Sequence, residues 1–131
     1  MTSKARILVI DDDTDFVEAT RTVLENGPYE VITAYDGDEG FRKAKEEKPD
    51  LIILDIIMPG KDGFVVAQQL KNDPKLRQIP LLMLTSFSEK GAYSSIPFRG
   101  GLTLEAEDYI DKPVSPEELL KRVKKHLGGT D

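Results

Sequence analysis

Residues 51–64 read LIILDIIMPGKDGF. The apolar run Leu51–Leu54 has no polar interruption and stops at Asp55. A strand with one wet face alternates apolar and polar residues. A strand buried on both faces does not, and that is the pattern of a central strand in a parallel sheet covered by helices on both sides. A carboxylate that ends such a strand needs a partner, because burying it alone is costly. Asp55 is therefore the first candidate for a reactive group.

Two other runs, Ile7–Ile10 and Leu81–Leu84, have the same unbroken character. Two weaker segments complete five strands. Tyr29–Tyr35 is rich in β-branched and aromatic residues, and Glu107–Ile110 is short and half polar, as suits an edge. Helical patterns separate them. Phe16, Ala19, Thr20, Val23 and Leu24 predict a helix that stops near Gly27-Pro28. Phe41 and Ala44 mark a second, ending before Pro49; Phe64, Ala67 and Leu70 mark a third, ending before Pro74. The last helix opens on Ser115 as N-cap, Pro116 at its first position and Glu118 closing a capping box. Leu119, Leu120, Val123 and Leu127 form its apolar stripe, and Gly128 follows as a C-cap glycine. Alternating strands and helices give an α/β, doubly wound, five-stranded parallel sheet. Within Ser86–Leu104, Gly91, Pro97, Gly100 and Gly101 interrupt the fourth helix, which is expected to be short and irregular.

Composition narrows the function. The 131 residues suit one compact domain. There is no Cys, which removes disulfides and thiolate chemistry, and a lone His126 removes a multi-histidine zinc site. A formal charge of −6 argues against nonspecific nucleic-acid binding. No apolar run is long enough to span a bilayer, and Met1–Arg6 lacks the apolar stretch of a secretory signal, so a soluble cytoplasmic protein is expected.

The strand ends carry the chemistry. Asp11, Asp12 and Asp13 follow the first strand, Asp55 ends the third, Thr85 the fourth, and Lys112 follows the fifth. In an open parallel sheet these ends share one edge, where ligands bind. Clustered carboxylates repel one another unless they are protonated or share a cation. Oxygen ligands alone favour Mg²⁺, Mn²⁺ or Ca²⁺ over zinc or copper. A lysine and a hydroxyl beside them can bind phosphoryl oxygens, and a carboxylate can itself be the nucleophile, giving an aspartyl phosphate.

The segments ILVIDDD at 7–13, LIILDIIMPGKDGF at 51–64, LLMLTS at 81–86 and YIDKPVSPEEL at 109–119 resemble the receiver domain of two-component response regulators over almost the whole chain. The resemblance implies a flavodoxin-like strand order 2-1-3-4-5 and one receiver domain over 1–131, core about 4–127, with no output domain in these residues. It implies Asp55 as phosphoacceptor and Mg²⁺ as cofactor, with Mn²⁺ as the alternative. Asp12 and Asp55 would ligate the metal directly, Asp11 mainly through water, and Ile57 through its carbonyl. Lys112 would contact the phosphoryl oxygens, Thr85 would be the switch hydroxyl, and Tyr109 the switch aromatic that alters the surface of the fourth helix, fifth strand and last helix. The implied donor is a histidine kinase or histidine phosphotransfer protein; the downstream partner is a protein, with no nucleic acid and no membrane. Apolar Ile57 and Phe87 would give an attacking water little help, hence slow self-hydrolysis. The resemblance weakens where Thr85 and Lys112 lie further apart than is usual and where Leu104–Asp108 reads LEAED.

Blander readings stand beside these. Asp11 and Asp12 could cap the first helix, although Asp13 or Thr14 can do that. Thr85 could be an ordinary strand end, Lys112 a surface lysine and Tyr109 a half-buried edge aromatic. His126 reads as a solvated residue whose cationic form suits a helix C-terminus, with no assigned role. A haloacid-dehalogenase-type phosphatase would need its nucleophile in an Asp-x-Asp-x-Thr/Val pattern, but Asp15 stands at the last position. A receiver-like binding module that signals without phosphorylation is the other alternative. An FMN protein is disfavoured because the first loop is acidic rather than glycine- and hydroxyl-rich.

Overall fold

The unbroken apolar runs do form the centre of one parallel sheet. The computed structural model describes residues 4–56, 63–85, 106–112 and 114–127. Among these, five strands, β1 (Ala5–Ile10), β2 (Tyr29–Ala34), β3 (Leu51–Asp55), β4 (Leu81–Thr85) and β5 (Asp108–Asp111), pair in the order β2-β1-β3-β4-β5. Four helices accompany them: α1 (Thr14–Glu25), α2 (Gly37–Glu47), α3 (Gly63–Asn72) and α4 (Pro116–His126). The helix expected within 86–104, together with Ile57, Phe87 and Gly128, lies outside the described residues.

The pleat explains why three strands lack alternation. Leu8, Ile10, Ile52, Leu54, Leu81 and Met83 point to one face, where they pack with Ala44 of α2 and with Val66, Ala67 and Leu70 of α3. Ile7, Val9, Leu51, Ile53, Leu82 and Leu84 point to the other, packing with Val17 and Leu24 of α1 and Leu119 and Val123 of α4. Successive residues along a strand thus serve two separate cores, and every one of them must be apolar. Edge strands β2 and β5 carry the polar residues, as expected.

Helix α1 departs from the expected register. Its buried stripe is Val17, Thr20 and Leu24, while Ala19 is exposed and Phe16 and Val23 are only partly covered. The stripe is rotated so that Val17 takes the buried position, while Phe16 packs partly covered at the margin of the same core. Helix α2 ends because Lys48 turns into the left-handed region (φ 51°) ahead of Pro49. Helix α3 starts against the end of β3: the Gly63 amide donates to the Ile56 carbonyl at 2.7 Å.

Ser115 caps α4 as anticipated, its hydroxyl accepting the Glu118 amide at 3.0 Å. The reciprocal half of the box is replaced, because the Glu118 carboxylate accepts instead from Arg122 Nε at 2.7 Å. Arg122 Nη1 also donates to both oxygens of Asp108, each at 2.9 Å, and His126 Nε2 lies 2.9 Å from Asp108 Oδ2. His126 is therefore not a solvated residue: it is largely covered and joins α4 to β5.

Burial alone would raise the Asp108 carboxyl, but its hydrogen bonds to His126 and Arg122 outweigh that and hold it below its ordinary value of 3.8. The sign follows: a carboxylate with a depressed folded-state pKa adds stability that is present above pH 3.8 and fades as pH falls through the lower folded value. Asp108→Asn should cost about 2 kcal/mol at neutral pH, the scale of hydrogen bonds to a charged group. In urea titrations across a pH series, the gap between the two proteins should close below that value. A gap that does not shrink as the pH is lowered below 3.8 would refute the assignment.

Candidate functional site

The carboxyl ends of β1 and β3 are neighbours in the sheet, with Ile10 opposite Leu54, so the residues that follow them meet at one edge. Asp11 is fully buried there and Asp55 is 4% exposed, whereas Asp12 faces solvent. One oxygen from each of the three lies within 4.8 Å of the others. Lys112, which follows β5, reaches into the group. Its Nζ donates to Asp11 Oδ2 at 2.7 Å and stands 3.7 Å from Asp55 Oδ2. Residues 101 positions apart in sequence are thus in hydrogen-bond contact.

Local chemistry prepares each position. The Asp11 amide donates to the Ala34 carbonyl at 3.1 Å, which extends the pairing of β1 with β2 by one residue. Asp11 Oδ1 accepts the Asp13 amide at 3.0 Å. Asp13 is the N-cap of α1, its carboxylate accepting the Phe16 amide at 3.1 Å. Capping therefore falls to Asp13, which leaves Asp11 and Asp12 for the cluster, and the positive end of the α1 dipole lies directly behind them. Asp55 is held by β3, and the next amide, Ile56, donates to the Leu84 carbonyl at 2.9 Å.

Three carboxylates against one ammonium leave a net negative charge at a partly buried edge. Such a charge excess, presented by oxygens alone, suits a hard divalent cation of the Mg²⁺ or Mn²⁺ type. Asp11 is a poor candidate for a nucleophile, since both its oxygens already accept protein hydrogen bonds. That disfavours the phosphatase alternative, which places its nucleophile after the first strand.

Of the residues singled out in the sequence, Asp11, Asp12, Asp55 and Lys112 are brought together. Thr85 ends β4 opposite Asp111, on the strand next to the one that carries Asp55; its side chain, like the whole of Ile57, lies outside the described positions. Tyr109 is on edge strand β5 opposite Met83, 43% exposed. Sequence reasoning missed Phe16, whose ring centroid lies 4.3 Å from Lys112 Nζ. The available signal was an aromatic in the first turn of the helix that follows the acidic residues. Among the described residues no helix is long and apolar enough to cross a membrane.

Comparison with known proteins gives this edge a context. A family model described as the response regulator receiver domain matches residues 7–124. The chain is 44% identical over 119 residues to the alkaline phosphatase synthesis transcriptional regulatory protein PhoP of Bacillus subtilis (strain 168), covering 91% of this chain and 47% of that protein. The chain therefore spans about half the length of that relative. It superimposes on a response regulator receiver domain protein (CheY-like) from Methanospirillum hungatei JF-1 with a TM-score of 0.79 at 33% identity, over 96% of this chain and 95% of that one. It shares its fold, at 22% identity and a TM-score of 0.82, with the receiver domain of the sensor histidine kinase PA1611 from Pseudomonas aeruginosa PAO1, over 95% of this chain and 98% of that one; that structure has a magnesium ion coordinated in its active site cleft. With a matching family model across most of its length, the same strand order and the acidic edge in place, this chain belongs to the response regulator receiver domain family of two-component systems.

Proposed function

We propose that this receiver domain takes a phosphoryl group from a histidine kinase or histidine phosphotransfer protein onto Asp55, and that the aspartyl phosphate is its signal. The observation that carries this reading is the placement of Asp55, nearly buried at the end of a central strand, 3.7 Å from the Lys112 ammonium and grouped with Asp11 and Asp12. In the transfer, an Asp55 carboxylate oxygen bonds to phosphorus while the bond from phosphorus to the donor imidazole nitrogen breaks. The bonding pair stays on the imidazole, which takes up a proton. Lys112 offers N–H donors to the oxygens of the moving phosphoryl group, stabilising charge that develops there.

Asp12 and Asp55 would hold Mg²⁺, or Mn²⁺ as the alternative, together with the Ile57 carbonyl. The engagement of both Asp11 oxygens supports that residue acting through water. When bound, the metal supplies positive charge that offsets repulsion between the carboxylates and the incoming phosphoryl group. Thr85 is assigned the switch hydroxyl and Tyr109 the switch aromatic, which its partial exposure on the edge strand permits. Apolar side chains at positions 57 and 87 favour slow self-hydrolysis. The absence of nucleic-acid contact is proposed for these 131 residues alone, on the strength of their −6 charge.

Incubation with acetyl phosphate and Mg²⁺ tests the reading by intact mass. The wild-type chain should gain one phosphoryl adduct that requires the metal and is absent from Asp55→Ala. An adduct that persists in the variant, or none on the wild type, overturns it; the latter outcome, with beryllofluoride also failing to bind, would favour a module that signals without phosphorylation.

A further inference from the structure

Phe16 is only partly buried: it packs against the margin of the core beneath α1, and its ring also meets a charged group. It occupies the first turn of the helix, pinned there by its amide, which donates to the Asp13 carboxylate at 3.1 Å. Its ring meets Lys112 Nζ at 4.3 Å from the centroid. The same Nζ donates to Asp11 Oδ2 at 2.7 Å, and Asp11 Oδ1 accepts the Asp13 amide at 3.0 Å. The contacts close a circuit: Asp11 to Asp13, Asp13 to Phe16, Phe16 to Lys112, and Lys112 back to Asp11. Only Nζ serves two links, and an ammonium with three N–H groups can face the ring and Asp11 at once.

An ammonium on a four-carbon stem is flexible and strongly hydrated. The Lys112 side chain retains 16% exposure, so water competes for it. The face of an aromatic ring carries the negative part of a quadrupole and attracts a cation. The ring also displaces water from one side of Nζ, which lowers the local screening and strengthens the field that Nζ exerts on nearby oxygens. An aliphatic residue here would supply the second effect without the first. Of the three N–H donors on the ammonium, one is on Asp11 and the ring occupies a second direction, leaving a third for an oxygen at the Asp55 side.

We infer that Phe16 is a positioning residue for phosphoryl transfer, holding Lys112 Nζ at Asp55 through its ring face; the inference rests on the reading of Asp55 as the acceptor. It acts through Lys112, whose Nζ its ring faces.

The test compares the rate of Mg²⁺-dependent adduct formation from acetyl phosphate in the wild type, Phe16→Leu, Phe16→Trp and a chain with pentafluorophenylalanine at position 16, with thermal unfolding recorded for each. Pentafluorophenylalanine keeps nearly the size and packing of the ring but reverses its quadrupole. Leu and the fluorinated ring should both slow the reaction by about fivefold, while Trp, the strongest cation binder, should match or exceed the wild type. Rates should follow the ring's affinity for a cation and not the unfolding temperature. If Phe16→Leu does not fold, the Trp and fluorinated chains still decide the matter. A fluorinated chain as fast as the wild type means that Phe16 only packs, and overturns the inference while leaving Asp55 as acceptor. A wild-type chain that forms no adduct overturns both.

Discussion

Lys112→Ala should slow phosphoryl transfer onto Asp55 by about a hundredfold, the usual consequence of removing one donor aimed at developing charge. The same change should destabilise the metal-free protein by about 3 kcal/mol. Both effects come from one atom. Nζ is the cation beside a fully buried Asp11 and a nearly buried Asp55, at 2.7 and 3.7 Å. Removing it leaves carboxylates grouped within 4.8 Å without that charge. Losing one partner of a buried pair costs about 3–5 kcal/mol, and the lower end applies here because Asp12 faces solvent.

The two effects separate on adding Mg²⁺. A divalent cation replaces the missing charge but not the N–H donors, so urea unfolding should recover much of the lost stability while the adduct rate stays low. Arginine should restore stability better than rate, because a planar guanidinium does not reproduce a compact point charge. A Lys112→Ala chain that is phosphorylated at the wild-type rate would remove Lys112 from the mechanism.

Gly63→Ala should destabilise the fold by about 3 kcal/mol and slow adduct formation by about a hundredfold, although the substitution lies in a helix and carries no charge. Elsewhere in a helix, replacing Gly by Ala gains about 1 kcal/mol. At this position an added Cβ would stand within 2.5 Å of backbone atoms of Asp55 and Ile56. A flexible side chain could rotate away, but a carbonyl oxygen and a Cα cannot, so either α3 or the end of β3 must shift. The Gly63 amide also donates to the Ile56 carbonyl at 2.7 Å, and moving the helix breaks that bond. Where the end of β3 yields, Asp55 moves with it and the distortion reaches the proposed phosphoacceptor directly; a shift of about 1 Å in a reacting group can cost about a hundredfold. Urea unfolding and the adduct rate check the two parts. A stable variant with normal phosphorylation would mean that the β3–α3 junction yields more easily than its geometry indicates.

Much of the fold can be read from hydrophobic runs. Ile7–Ile10, Leu51–Leu54 and Leu81–Leu84 lack alternation because their neighbouring residues serve two different cores, and that double burial identifies central parallel strands. The edge character of Glu107–Ile110 was legible from its polarity. The register of α1 was not. Phe16 and Val17 are both apolar, and only the docking of the helix on the sheet decides which one is buried. The Glu118 capping box was half right for a similar reason: a guanidinium one turn along offered the carboxylate a charged partner in place of a backbone amide.

The sequence by itself determined the class of the sheet, the ends at which Asp11, Asp12, Asp55 and Lys112 stand, and the family, because strand burial and strand termini are encoded by neighbouring residues. Only the tertiary structure decided that Lys112 bonds Asp11 more closely than Asp55, that Phe16 covers its ammonium, that Gly63 lies against the backbone of Asp55, and that His126 pairs with Asp108. These are contacts across gaps between elements. Periodicity states which face of a helix or strand is apolar, but the side chain that opposes it depends on how crossovers place segments distant in sequence, and a displacement of an ångström or two exchanges one partner for another.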